Sequence, residues 1–155
     1  MKLTHSIEIN AAPSLVFAWI KDPQRAIQWQ TSVASGEIIK QTPWQVGTTF
    51  RETIEENGQS TELFGEITEF IPNQLIAFHL EGKFNVVDVS FRVEATRSGS
   101  RVTQQADLRF KGLVRLMSLF FRRTFRRKLA VQSQQEFARL KALCEEDVES
   151  MKEVG

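Results

Sequence analysis

Apolar and polar residues alternate over most of the first 111 positions of the chain, and a period of two is typical of half-buried β-strands. The first such stretch, 3–9, lies close to the N-terminus. After residue 34 the alternation returns in stretches separated by turn signals such as Asn57-Gly58. Six more strands are predicted, at 36–40, from Gly47 to the Asn57-Gly58 turn, and at 62–71, 75–81, 85–96 and 101–111.

Apolar residues recur at helical spacing in two regions, one after the first strand and one near the end of the chain. A helix led by Pro13 ends at Asp22-Pro23, and a short helix over 25–30 follows it. From 113 to about 146 the chain contains neither glycine nor proline and is predicted to be helical.

The apolar residues of this last helix do not share one face. Those of its first part and those of its second part lie about a third of a turn apart on a helical wheel. A single straight helix would therefore bury Arg115, Arg122 and Arg126. We predict a kink or break near 122–128.

The predicted order is one strand, two helices, six strands and a long helix. Strands that are segregated from helices in this way predict an α+β fold with an antiparallel sheet. The simplest packing wraps a curved sheet around the last helix. We expect one domain over 1–147, followed by an acidic tail at 148–155 that frays.

Several segments resemble the START/Bet v 1-like (SRPBCC) superfamily of helix-grip proteins, in its polyketide cyclase/dehydrase-like branch. The resemblance covers essentially the whole chain and rests on packing signatures, none of which is catalytic. The segments are 7–13 leading into 16–20 with Asp22-Pro23, Trp29 at the end of the second helix, 47–51, and 67–72 with 75–78 just after.

The resemblance implies about seven strands that grip the C-terminal helix around a hydrophobic cavity. Trp29 marks a helical lid in that family, where a ligand contact is expected. Mapped onto the alternation, the remaining cavity lining would be Phe50, Ile54, Phe78, Val89, Phe91, Ala106, Leu108 and Phe110 from the sheet, and Val114, Met117, Phe121 and Phe125 from the helix. The alternative is that these residues pack together and leave no void.

This resemblance favours binding or transport of a hydrophobic small molecule or lipid. Two alternatives remain open, because fold does not choose among a superfamily's functions. One is a cyclase or hydratase acting on a polyketide-like or aromatic substrate. The other is a protein that docks a partner or a membrane surface.

Composition leaves few groups for catalysis. The chain has one cysteine, two histidines and no tyrosine against 12 phenylalanines, so an intrachain disulfide, a cysteine zinc site and a phenolic acid are excluded. Neither a metal nor a cofactor is expected. The weak acid–base or polar candidates are Glu52, His5 and Gln104. Each has a structural alternative, since Glu52 could reach water at a bulge and His5 lies near the chain end.

The net charge of +1 conceals an uneven distribution. Eight of the 20 Lys and Arg residues and none of the 19 acids lie between 109 and 128, which leaves the rest of the chain at −7. The eight are Arg109, Lys111, Arg115, Arg122, Arg123, Arg126, Arg127 and Lys128.

Leucine and phenylalanine interleave these cations, a mixture that suits the surface of an anionic membrane. An acidic protein partner and a homodimer contact are alternatives. The plainest alternative is a solvated helix face paired with the acidic strand residues 52–56 and 62–69. Sequence-specific nucleic-acid binding is disfavoured because no recognition motif surrounds the run.

The N-terminus alternates rather than forming an apolar signal core, and the apolar run 113–121 is too short to span a bilayer. With a single thiol as well, a cytoplasmic location is the expectation.

Overall fold

Seven antiparallel strands form one sheet in the computed structural model, which describes residues 1–154. The strands are β1 (Lys2–Ile9), β2 (Val33–Lys40), β3 (Thr49–Glu56), β4 (Gln59–Ile71), β5 (Leu75–Gly82), β6 (Asn85–Ala95) and β7 (Ser100–Phe110). Their spatial order is β1-β7-β6-β5-β4-β3-β2, so β1 and β2 are the two edges. The connection from β1 to β2 must therefore cross the whole sheet.

Two short helices, α1 (Pro13–Lys21) and α2 (Pro23–Trp29), make that crossing. A proline stands at the start of each, where a missing N–H costs nothing. Asp22 separates the helices, and its side chain caps α2 by accepting a hydrogen bond from the Gln24 N–H at 3.0 Å. The predicted α+β helix-grip fold is confirmed, with the elements in the predicted order.

Two helices follow β7 in place of one. They are α3 (Gly112–Phe120) and α4 (Arg122–Val154), and the break falls at Phe121, immediately before the predicted segment 122–128. The tail that we expected to fray, 148–155, is helical as far as Val154. Its first residue, Val148, is partly buried against the core.

The second half of α4 anchors the helix on the concave face of the sheet. Phe137, Leu140 and Cys144 are its fully buried side chains. Phe137 lies 6.4 Å from both Trp29 and Phe91, measured between ring centroids. Burial raises the pKa of the Cys144 thiol to about 12, so this cysteine is a neutral packing residue.

The turn between β6 and β7 is pressed against the end of β1. The buried Ser100 hydroxyl donates a hydrogen bond to the Ala11 carbonyl oxygen at 2.6 Å. Gly99 has φ +156°, and a Cβ added there would overlap the Ile9 carbonyl oxygen and lie 2.6 Å from the Ala11 nitrogen. Only glycine fits, because the obstructing atoms are backbone and cannot rotate away.

Gly99→Ala should lower the free energy of unfolding by about 3 kcal/mol or more, since unfavourable φ and overpacking add. Gly58 is the matched control, because it also has positive φ (+75°) but a Cβ there would meet nothing within 4 Å. Gly58→Ala should cost only about 1 kcal/mol. Urea unfolding measures both, and equal losses would contradict the close approach of the turn to β1.

Candidate ligand-binding cavity

A cavity of about 280 Å³ lies between the sheet, α2 and the first half of α4. Its apolar lining comes from side chains at alternate positions of the strands, as the pleat of a sheet requires. The structure places six of the predicted lining residues on its wall: Phe50, Ile54, Phe78, Val89, Phe91 and Ala106.

Aromatic rings pack edge to face along this wall. Phe50 lies 5.5 Å from Phe78, which lies 6.4 Å from Phe91, with interplanar angles of 85° and 73°. Gly65 stands opposite Phe50 in the β3–β4 register, and any Cβ there would overlap the Phe50 ring. The glycine therefore makes room for that ring.

Other predicted lining residues lie elsewhere. Trp29 does not line the cavity but is a fully buried core residue, and its indole N–H donates to the Trp19 carbonyl oxygen at 3.1 Å. Leu108 lines a neighbouring cavity of about 250 Å³. Phe110 and Phe125 pack on each other, with centroids 5.7 Å apart.

The three predicted residues around α3 also lie outside the cavity. Val114 is half-buried, whereas Met117 and Phe121 are exposed. The break at Phe121 is the physical reason, because α3 does not continue the line of α4 over the sheet. No residue of α3 lines the cavity.

A polar wall closes the cavity beneath α4. Gln104 of β7 and Glu52 of β3 face it, together with Gln132 and Glu136 of α4. The Glu136 carboxylate accepts hydrogen bonds from the Thr31 N–H (3.1 Å), the Thr31 hydroxyl (3.0 Å) and the Gln132 side-chain amide (3.0 Å).

Sequence reasoning missed Gln132 and Glu136, although a signal was present. They precede the buried Leu140 by eight and four residues, so the three side chains lie one above the other on one helix face. A polar pair that continues a buried stripe indicates a polar group facing the interior.

Glu52 is the electrostatically perturbed group of the site. Burial, and secondarily the negative charge of Glu136, raise the pKa of the Glu52 carboxyl from 4.5 to about 7. Near neutral pH the group can therefore either donate or accept a hydrogen bond. Nearby, the buried side-chain oxygen of Gln30, also a lining residue, has no hydrogen-bond donor among residues 1–154.

The three polar candidates do not meet in one chamber. Glu52 lines the main cavity, and His5 lines the neighbouring one, where its ring lies 5.1 Å from Phe137. Gln104 lines both cavities, and so do Gln132 and Glu136. Gln104, Gln132 and Glu136 thus lie between two adjoining spaces, together with Val87 and Ala106.

Residues 1–145 match the model of a family described as "Polyketide cyclase / dehydrase and lipid transport". The chain belongs to this family. None of the curated proteins matches the chain.

Solved structures show the same fold at low sequence identity. TTHA0849 of Thermus thermophilus is 15% identical, with a TM-score of 0.79 over 95% of this chain and 99% of that one. CV1439 of Chromobacterium violaceum is 14% identical, with a TM-score of 0.73 over 93% and 96%. Ara h 8.0201 is 14% identical, with a TM-score of 0.68 over 94% and 98%.

Membership of the polyketide cyclase/dehydrase and lipid transport family supports a fold that binds hydrophobic ligands. Residues 1–154 contain no cluster of three or more His, Cys, Asp or Glu side chains able to hold a metal ion. Within the same residues, no helix has both the length and the apolarity needed to cross a bilayer.

The basic segment runs from the end of β7 through α3 into the first turns of α4, and none of its cations lines the main cavity. Arg109 pairs with Asp88 at 2.7 Å, and Lys111 lies 4.0 Å from Glu81. Arg126 donates to the Lys2 carbonyl oxygen. The carboxylates that pair with the run are thus Asp88 and Glu81. Within residues 1–154, no cation of the run pairs with the acidic residues at 52–56 or 62–69.

The raised pKa of Glu52 makes stability depend on pH. The folded state holds the proton between pH 4.5 and about 7 and the unfolded state does not, so stability falls as pH rises through that window. The loss should reach roughly 2–3 kcal/mol. Glu52→Gln should remove this loss and so exceed the wild type in stability at pH 8.

Urea unfolding at pH 5 and pH 8 measures the effect. The exposed neighbour Glu55 supplies the control, and Glu55→Gln should keep the pH dependence of the wild type. Parallel pH profiles for the wild type and Glu52→Gln would contradict the buried carboxyl.

Proposed function

We propose that the protein binds and carries a hydrophobic small molecule or lipid in the main cavity, with the ligand's polar end against the wall of Glu52, Gln104, Gln132 and Glu136. The observation that carries this proposal is the composition of the cavity. Apolar side chains make up most of the lining, and polar groups of β3, β7 and α4 face the same space. This combination is typical of small-molecule sites.

The polar wall also indicates the chemistry of the ligand's head. The Gln30 side-chain oxygen is buried without a donor, and such an oxygen is costly unless a ligand or water donates to it. Three carboxyl groups, those of Glu37, Glu52 and Glu136, line the same space against one ammonium group, that of Lys21, so an anion is disfavoured. A neutral or cationic head with a hydroxyl or amine donor therefore fits better than a carboxylate or a phosphate.

The first test is occupancy. Native mass spectrometry of the protein as purified should show a bound non-protein mass, released by organic extraction. Ala106→Phe adds a ring to the cavity wall and should abolish that mass. Gln105→Phe is the matched control, since Gln105 is exposed on the same strand and does not line the main cavity, so its variant should retain the mass.

Equal retention by the two variants, at comparable folding by circular dichroism, would contradict binding in this cavity. A wild-type protein that carries no ligand and binds no apolar probe would contradict the function itself.

The second test concerns the ligand's head. N-phenyl-1-naphthylamine serves as a neutral fluorescent probe of the cavity. At pH 8, decanol and decylamine should displace it, whereas decanoate should not, because Glu52 and Glu136 would oppose its charge. Displacement by decanoate at the same concentration as decanol would contradict the assignment of the polar wall.

Acid–base catalysis is a second candidate, and one observation favours it. A carboxyl with a pKa near 7 inside a cavity is suited to moving a proton at physiological pH. If the protein is an enzyme, extracts of Glu52→Gln should contain a molecule that the wild type converts to one of different mass. Identical extracts from both proteins would contradict catalysis by Glu52 and would be consistent with the carrier function.

A further inference from the structure

The apolar stripe of α3 faces outward. Leu113, Leu116, Met117 and Phe120 follow the spacing i, i+3, i+4 and i+7, which places them on one helix face. Leu113 is 78% exposed and Phe120 is 85% exposed, whereas the one buried residue of the helix is Ser118. A surface helix normally turns its apolar stripe toward the core, and α3 does the reverse.

Exposed cations continue directly from this stripe. Arg115 lies on α3. Phe121 is the one residue between the helices, and the first two turns of α4 after it carry four exposed cations, Arg122, Arg123, Arg127 and Lys128. Within residues 1–154, none of these five has a carboxylate within 4.0 Å. No acidic residue occurs between Asp107 and Glu136.

The position of the cation cluster is unfavourable for the stability of α4. The start of a helix is the positive end of its dipole and favours acidic residues, yet the first turn of α4 has none. The β5–β6 turn lies next to this surface, because the Lys111 N–H donates to the Phe84 carbonyl oxygen at 2.8 Å. The turn adds a half-exposed Phe84 with Lys83 beside its ring. We call the surface formed by 113–128 the elbow.

We propose that the elbow docks the protein on an anionic phospholipid bilayer. The exposed stripe of α3 would enter the boundary between headgroups and acyl chains, and the cations of the elbow would contact the headgroups. A bilayer supplies both an apolar medium for protruding leucine and phenylalanine and a negative surface for unpaired cations.

The charge pattern argues against a second copy of the chain as the occupant. In a symmetric dimer the same patch meets itself, so Arg115, Arg122 and Arg123 would face their own copies. The acids that adjoin the patch are Glu55 and Glu56, which lie across a groove from Arg127 and Lys128. Like charges in apposition are strongly unfavourable at an interface.

The elbow also adjoins the approach to the cavity. An open groove runs between α4 and the end of β3, with Arg127 and Lys128 on one side and Glu55 and Glu56 on the other. Ser32 and Gln132 line both this groove and the main cavity. A bilayer at the elbow would therefore lie next to the route by which an apolar ligand could enter. The docking itself goes beyond the proposed function and does not depend on it.

Vesicle flotation tests the proposal. The protein should float with vesicles of equal parts phosphatidylcholine and phosphatidylglycerol, less so at high salt, and not with phosphatidylcholine alone. R122Q/R123Q/R127Q should weaken binding to the mixed vesicles on the order of a hundredfold, since each cation near such a surface contributes about fivefold. L116S/F120S should abolish it by removing the inserting side chains.

Matched controls keep these results specific. K40Q/R92Q/R97Q removes three exposed cations at the surface of β2, β6 and the β6–β7 turn, and W44S removes a side chain that is 83% exposed in the loop before β3. Both should float like the wild type. Circular dichroism checks folding, and retention of the cavity probe N-phenyl-1-naphthylamine separates loss of docking from loss of ligand binding.

Three outcomes would overturn the proposal. The first is a wild type that binds neither kind of vesicle, and the second is elbow variants that float as well as their controls. The third is an L116S/F120S variant that changes from dimer to monomer in sedimentation velocity while its vesicle binding stays unchanged, which would assign the elbow to a second copy of the chain.

Discussion

The anchoring of the second half of α4 on the sheet is the contact on which the rest of the structure depends. Phe137, Leu140 and Cys144 are fully buried there, and Phe137 joins Trp29 and Phe91 in one aromatic cluster. The first half of the helix, 122–136, has no fully buried residue. The sheet is therefore gripped at one end of α4 only, and the space under the other end remains as the cavity.

This division of α4 also explains the electrostatics of the site. The residues that overhang the cavity, Gln132 and Glu136, are polar, and Glu136 is held by three hydrogen bonds. Its charge adds to the effect of burial on the pKa of Glu52. Most of the other residues that line the space are apolar. The cavity thus combines a large apolar surface with one carboxyl that changes protonation near neutral pH. That combination is the basis of our proposal that the ligand is an amphiphile rather than a purely apolar molecule.

Most of the fold could be predicted because successive side chains of a strand point to opposite faces of the sheet, so the residues that share a face can be identified from a short stretch of sequence. The alternation that groups Phe50, Glu52 and Ile54 is local, and the structure has the three on one wall. The last helix was harder, because a helical wheel describes faces relative to one another and does not say which face meets the sheet. Treated as one helix, 113–146 directs Met117 and Phe121 inward. The break at Phe121 separates them from the cavity and leaves an apolar stripe in solvent.

The polar wall could not be predicted from the strands alone, because Glu136 is distant in sequence from Glu52 and meets it only through tertiary packing. The central claim is that the space under the first half of α4 holds an amphiphile. An experimental structure of the protein as purified tests it most directly. We expect continuous non-protein density along Phe50, Phe78 and Phe91, with a polar atom within hydrogen-bond distance of Gln30 or Glu136. A cavity closed by side chains, or one holding only separate waters, would contradict the account.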